Sequence, residues 1–520
     1  MIDDNQAETI KLLSNPKTYG DKVHSIDICQ SHIAILFLVG QNVYKLKRAV
    51  QYPNIDFSTP EKRKLACVNE MRRSAIYAPN LIMGTKSIRR LKNGRIKIGG
   101  KTGEEIDTLL VLKRIPKKSL LNYMLPSEKF DRFEAMDLAE KLAELHTKAK
   151  IYHTKFGVET LRQTILENES VLSCFTSNLF DREKLNQLTQ KSLESLQKNT
   201  ALITFRQKTG RVRKCHGDLL LSNIAFDKKE FLFFSPIEYD NNKECIDTLY
   251  DLAYLMMDME AHGLRRLCNI MFNHYMAYTN DIEGYPLLPL YQSIRAAYRA
   301  SVFARLSNLV EGKEKERVIA LAHKYFDLAC SFMTEHKPIL IACGGLSGSG
   351  KSRVAREIGG QINPPPGAVI LRDDIIKKQI TGIAPHQRFD KSYDTPVFEK
   401  LVYNVLRQHA QTALSVGSCV IVDALFYSQA ERKAIEKLAQ KMQIPFYGFW
   451  MDAPLCVRAE RVKTRKRNPS DIRKDWELES QLNLRTGPIS WHKIMTDGPK
   501  EETVKKVMDI LNQSTKGDIK

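Results

Sequence analysis

The sequence predicts a multidomain chain of the α/β and α+β classes. A small sheet lobe comes first, then a larger helical lobe, then an α/β domain with a parallel sheet covered by helices on both faces. Three observations carry this. At 520 residues the chain exceeds what one ordinary core holds and suggests two to four domains. The apolar pattern is strand-like up to about residue 115 and mostly helical from there to about 335. After Pro338, the buried-strand run Ile339–Gly345 leads into a glycine-rich turn and a helix, as an α/β phosphate-binding domain begins.

The first lobe, residues 1–115, contains Ser25–Gly40, a turn at Gly40-Gln41-Asn42, Val43–Val50, Arg95–Gly100 and Thr108–Ile115 as strand-like runs. One helix interrupts them at Pro60–Ile76, with Thr59-Pro60 as its start signal. Residues 116–335 form the helical lobe, with a hairpin-like insertion at 214–240, and Glu311–His336 has helical spacing up to the boundary. The last domain is 336–520.

With 43% hydrophobic and 27% charged residues, the chain reads as globular rather than disordered. Its longest apolar runs are strand-sized, and "MIDDNQAE" is no signal peptide, so a cytoplasmic protein without a membrane partner is expected. Ten scattered cysteines without CxxC pairs argue for free thiols in a reducing compartment. Lys and Arg exceed Asp and Glu by 80 to 60, giving +20. Phosphate-handling sites and basic helical surfaces account for this excess. Nucleic acid binding is the less favoured account, because charge alone is weak support.

The clearest motif is Gly345-Leu-Ser347-Gly348-Ser349-Gly350-Lys351-Ser352, a GxxxxGK[ST] run between strand and helix. Backbone N–H groups of Gly348, Ser349 and Gly350 would curl around the β-phosphate of ATP. Lys351 would bridge the β- and γ-phosphates and Ser352 would offer its hydroxyl to Mg2+. Two more strands end in acids: Ala368–Lys378 in Asp373 and Asp374, and Gly417–Phe426 in Asp423. Ligands bind beyond the carboxyl ends of such strands. Either Asp373 or Asp374 then takes the proton of an acceptor hydroxyl, and Asp423 holds the magnesium. Each acid alone also suits a helix N-cap. In Cys456–Asp471, Arg461 and Arg465 lie four apart on one helix face of a basic lid, suited to clasping the transferring phosphate.

"GLSGSGKS", "LRDDIIKK", "VIVDALF" and "RVKTRKRNPSD" together resemble the small P-loop kinases related to polynucleotide kinase and zeta-toxin proteins, over about residues 338–500. The resemblance implies phosphorylation of a hydroxyl on a small molecule, nucleotide sugar or nucleic-acid end.

The helical lobe holds a second phosphate-site pattern. His216-Gly217-Asp218 supplies a carboxylate to position a hydroxyl, and Asn223, five residues on, a magnesium ligand. Upstream, Lys45 and Lys47 share a strand face, and Lys45 is the one expected to pair with Glu70. Asp247 and Asp251 begin a helix from which either can brace the loop through backbone N–H groups. The order Lys45, Glu70, HGD, Asn223, "YDLA" resembles the aminoglycoside phosphotransferase and protein kinase-like family, over about residues 25–310, and implies a two-lobed ATP-binding domain. The whole chain looks like bacterial two-domain proteins that join such a domain to a P-loop domain. In those, an Asp follows the HGD loop as a metal ligand; here "FSPIEYD" puts Ser235 at that position. Serine is a poor ligand for a hard cation. Glu238 or Asp240 reaches a metal only with altered loop geometry, and no GxGxxG stretch precedes Lys45.

The expected activity is therefore ATP-dependent phosphotransfer to a hydroxyl-bearing substrate by the P-loop domain. Two alternatives stay open: an active small-molecule kinase in the first domain, and a nucleotide-dependent switch without acceptor chemistry.

Overall fold

The computed structural model describes residues 6–517 apart from 32, 53–54, 126–129, 238–243, 388, 390–392, 394, 465–483 and 485. Two compact units emerge. One comprises 1–130, 148–160 and 203–255; the other comprises 131–147, 161–202 and 256–520. The helices between 256 and 335 thus pack in the same unit as the P-loop sheet.

In the first unit, strands β1 (Asp27–Gln30), β2 (Ala34–Val39), β3 (Asn42–Lys47), β4 (Ile82–Arg90), β5 (Ile96–Ile98) and β6 (Glu104–Lys113) form an antiparallel sheet of order β1-β2-β3-β6-β4-β5. Alternation puts Ile35, Phe37 and Val39 of β2 into one core with Leu46, Ile88, Leu109 and Val111. Helix α1 (Pro60–Tyr77) starts where Thr59 and Pro60 predict, with the Thr59 side chain accepting from the Lys62 N–H. The hairpin β7 (Ile224–Asp227) and β8 (Glu230–Phe233) falls inside the expected insertion.

The second unit holds α2 (Arg132–Lys148), except for its last residue. Helix α3 (Thr248–Ala261) is divided between the units at residue 255, and α4 (Arg265–Thr279) and the helices Leu288–Leu306 and Gly312–Phe332 then precede the P-loop domain. Among its described residues that domain has five strands: β9 (Leu340–Gly344), β10 (Val369–Arg372), β11 (Val420–Asp423), β12 (Phe446–Asp452) and β13 (His492–Met495). Every pairing is parallel, in the order β10-β11-β9-β12-β13. Chain order therefore reverses at β9, whose carboxyl end becomes the natural ligand position. Helix α5 (Lys351–Gly359) packs Val354, Ala355 and Ile358 on Ile341, Cys343, Ile421 and Phe449. Helices α6 (Asp373–Thr381) and α7 (Leu455–Thr464) follow β10 and β12.

Edge strand β10 does not leave its polar groups bare. The Asn273 side chain of α4 accepts from the Ile370 N–H at 2.7 Å and donates to the Ala368 carbonyl at 3.1 Å. Asn269 donates to the same carbonyl at 2.9 Å, and Arg266 grips Glu357 of α5 through two 2.8 Å bonds. A Cβ on Gly360 would stand 2.9 Å from the Arg266 Cα, so glycine there permits the close approach. All ten cysteines are free. Among the described residues, no helix is long and apolar enough to cross a membrane.

Candidate active site: two phosphate-type constellations

The P-loop turn follows directly from its glycines. Gly345, Gly348 and Gly350 have φ of 144°, 80° and 92°, conformations that L side chains rarely adopt. At Gly348 a Cβ would stand 2.6 Å from the Arg458 carbonyl oxygen, and at Gly345 only 2.4 Å from that of Met451. From α7, Arg458 Nε donates to the Ser347 carbonyl at 2.8 Å, while Thr496 Oγ1 donates to the Ser349 carbonyl at 2.6 Å. Both bonds hold loop carbonyls outward and leave the Gly348 and Gly350 N–H groups for a ligand, whereas the Ser349 N–H, expected to join them, donates to the Leu346 carbonyl at 3.1 Å. Lys351 makes no ion pair among the described residues, as a ligand-facing cation should. Ser352 follows it on the cavity wall.

The three expected acids do converge on this end of the sheet, in different states. Asp373 is held by two backbone donors, Asp374 N–H at 2.8 Å and Leu425 N–H at 3.2 Å. Burial, reinforced by the Asp374 charge, pushes its carboxyl up to about 6. Asp374 is instead engaged by Arg372 at 2.6 Å, so its charge is already compensated. Of the two, Asp373 is the one disposed to accept a proton. Asp423 pairs in register with Arg372, lies 2% exposed, and leaves its Oδ1 without a hydrogen-bond partner. A buried carboxylate oxygen without a partner is costly, and together with the Ser352 hydroxyl it makes a hard-oxygen donor set. That set fits magnesium.

Lys351, Ser352, Asp373 and Asp374 line a cavity of about 740 Å3, while the buried Asp423 is not part of its lining. Arg461 also lines it, but its guanidinium is engaged by Thr496, at 3.1 Å to Oγ1, and by the Gly348 carbonyl at 3.5 Å. In this position it braces the loop. Arg465 lies outside the described residues. Missing from the sequence reading were Arg458, Thr496 and Arg372. Arg458 carried the only signal, since it lies three residues before Arg461 on the same helix.

The other constellation lies within the first unit. Lys45 Nζ meets Glu70 Oε1 at 2.7 Å, and Lys47 Nζ meets Oε2 at 2.6 Å, so Glu70 serves two lysines where only Lys45 was expected. Burial opposes the Glu70 charge, but the two cations hold its carboxyl down to about 2. Lys47 is fully buried beside the Phe57 ring, whereas Lys45 retains 12% side-chain exposure. Lys45 is thus the one available to a nucleotide. Asp251, not Asp247, braces the loop, accepting from the N–H groups of His216 at 2.9 Å and Gly217 at 2.8 Å. Asp247 instead forms a two-bond pair with buried Arg206.

Asn223 donates to the Asp218 carbonyl and carboxylate, both at 2.9 Å, which brings the acid and the amide together. Arg73 of α1 joins the same loop through the Cys215 carbonyl at 2.6 Å, and also bonds the Ile237 carbonyl and Glu244. Ser235 has φ of 58°, in the left-handed region. Glu238 and Asp240 lie outside the described residues.

Over 494 residues the chain is 24% identical to an uncharacterized protein of Mycobacterium tuberculosis, covering 92% of this chain and 94% of that one. A choline/ethanolamine kinase family protein from Mesorhizobium loti resembles it with TM-score 0.38 and 11% identity, over 63% of this chain and 99% of that one. The Mycobacterium tuberculosis APS kinase CysC, in complex with AMPPNP and APS, gives TM-score 0.27 and 18% identity over 34% of this chain and 99% of that one. Both TM-scores are below 0.5, and the fold assignment rests on the strand order and loop geometry. Residues 340–485 match the family described as an AAA domain. One chain thus joins the region of the HGD loop to a P-loop region that the AAA domain model matches.

Proposed function

We propose that this chain is an ATP-dependent phosphotransferase whose P-loop site passes the γ-phosphate of ATP to a hydroxyl group. The observation that carries this reading is the pairing of unpartnered Lys351 with Asp373 on one cavity wall, where the carboxyl is pushed up to about 6. That is the protonation range of a working general base. The acceptor hydroxyl oxygen attacks the γ-phosphorus while the bond to the β-phosphate oxygen breaks. The hydroxyl proton passes to Asp373, and ADP leaves. Loop N–H groups and Lys351 hold the phosphate oxygens where charge gathers. Ser352 and Asp423 are the residues that would hold magnesium, whose charge would offset the negative charge of the phosphates.

The test is mass spectrometry of cell-extract metabolites incubated with labelled ATP and the full chain. A phosphorylated product is expected from the native chain and none from Lys351→Ala; equal product from both would overturn the reading.

A second reading, a small-molecule kinase in the first unit, draws on the Lys45–Glu70 pair and the Asp251-braced loop. It requires that Asp218→Ala abolish transfer while Lys351→Ala does not. Ser235, a weak ligand at the metal position, weighs against it.

A further inference from the structure

The cavity at the P-loop is not built by the P-loop domain alone. Arg132, Phe133 and Met136 of α2 and Asn273, His274 and Ala277 of α4 form one of its walls. These residues precede the sheet by 60 or more positions in the sequence, yet their seating is specific. Asn273 brackets β10, and Arg266 locks α4 to the helix that starts at Lys351.

Charge on this lining is lopsided, with nine basic side chains to three acidic ones. The arginines among them fall into two groups. Arg461 has Arg353 and Asp497 as its charged neighbours, on the P-loop side. Arg356 instead feels Arg372 and Arg132, on the side walled by α2. Arg372 is neutralised by Asp374 and faces Asp423. Arg356 and Arg132 have no such partner: neither makes an ion pair among the described residues. Burial and the two neighbouring arginines lower the Arg356 guanidinium to about 10, a sign that an anion is wanted there. His274, which burial and then Arg372 hold down to about 4, stands neutral on the same wall as a hydrogen-bonding group. Phe133, 4.6 Å beneath the Arg132 guanidinium, orients that cation.

We infer that this composite wall is the acceptor subsite, and that the acceptor is a small molecule already bearing a phosphomonoester, received by Arg132 and Arg356. Two guanidinium forks suit the geometry of a phosphate. The inference rests on the proposed P-loop phosphotransfer and adds the acceptor class and the part played by the helices before the sheet.

Two measurements test it, both on the full chain. First, the nucleotide subsite is filled with magnesium and a nonhydrolysable ATP analogue, and inorganic phosphate is titrated by calorimetry. A saturable site is expected, weakened fivefold or more by Arg132→Gln and by Arg356→Gln. No saturable site in the native chain, or equal binding in both variants, overturns the inference. Second, labelled ATP is offered with sugar phosphates and nucleoside monophosphates beside their unphosphorylated counterparts. The native chain should favour the phosphorylated member at least tenfold in kcat/KM, and each arginine variant should erase most of that ratio. Preference for the unphosphorylated members, or an unaltered ratio in both variants, sinks it. Lys351→Ala separates the two layers. Transfer that survives it defeats the phosphotransfer reading itself; transfer lost in it, with an unaltered ratio in the arginine variants, defeats only the acceptor assignment.

Discussion

The two phosphate-type constellations differ in what their acids are doing. In the first unit the scaffold is complete: Glu70 holds two lysines, Asp251 braces the HGD loop, and Asn223 meets Asp218. Yet where an acid was expected as a metal ligand stands Ser235, with left-handed backbone. In the second unit, Asp373 is raised toward neutrality, Asp374 is neutralised by Arg372, and Asp423 keeps an oxygen unsatisfied. Backbone bonds and ion pairs thus hold this architecture with a serine at the position expected for an acid. Chemistry needs acids whose surroundings leave them something to do.

The largest effect expected from breaking this contrast is at Asp373. Asp373→Asn should cost about 10²–10⁴ in kcat, the usual worth of a general base. Because burial raises this carboxyl from its ordinary 3.8 to about 6, the base form fills only above that pH. The kcat/KM of the native chain should rise through about pH 6, be lost below it, and show no such limb in the variant. An equal loss from Asp218→Asn would erase the contrast.

Next is Lys351→Ala, expected to cost about 10²–10³ in turnover by removing one charged donor from the transition state. Steady-state rates with saturating ATP would read it.

The third prediction concerns stability in the first unit. Glu70→Ala removes the carboxylate that buried Lys47 shares with Lys45, which should cost about 3–5 kcal/mol, read as a lowered unfolding transition. The pH sign follows from a folded value held below the ordinary 4.5, at about 2. This contribution is fully present above about pH 4.5 and is lost as pH falls toward 2. A variant that melts like the native chain at pH 7 would mean the lysine pair is not what ties β3 to α1.

The smallest expected effect would sharpen the comparison most. Ser235→Asp, made in the Lys351→Ala background, should raise magnesium-dependent ATP binding a few-fold, because aspartate tolerates left-handed backbone and supplies the anionic ligand. Calorimetric titration decides it. No gain would mean that more than one ligand is gone from this site.

Much of this was legible in the chain because its signals are local. GLSGSGKS needs positive φ at its glycines whatever surrounds it, and it lies between strand and helix. The start of α1 at Thr59-Pro60 and the hairpin after Asn223 are equally short-range. Where two residues of one type stood close together, the sequence had no means of choosing. Lys45 and Lys47 share Glu70 and are told apart by burial, Asp247 and Asp251 by distant partners, and Asp373 and Asp374 by the Leu425 N–H on one and the neighbouring Arg372 on the other. Arg206 takes Asp247 from 41 residues upstream, and Arg372 takes Asp374 from the strand end.

By itself, then, the sequence determined two phosphate-type loops, their order, and the serine where an acid was expected, since each depends on residues within one turn or strand. Only the tertiary structure decided which acid stands ready for a proton and that α2 and α4 wall the P-loop cavity. The Asp373 ionisation is set by burial and by charges such as Asp374, Lys351 and Asp423, and the cavity wall by helices more than 60 residues before the sheet, and no local pattern encodes either.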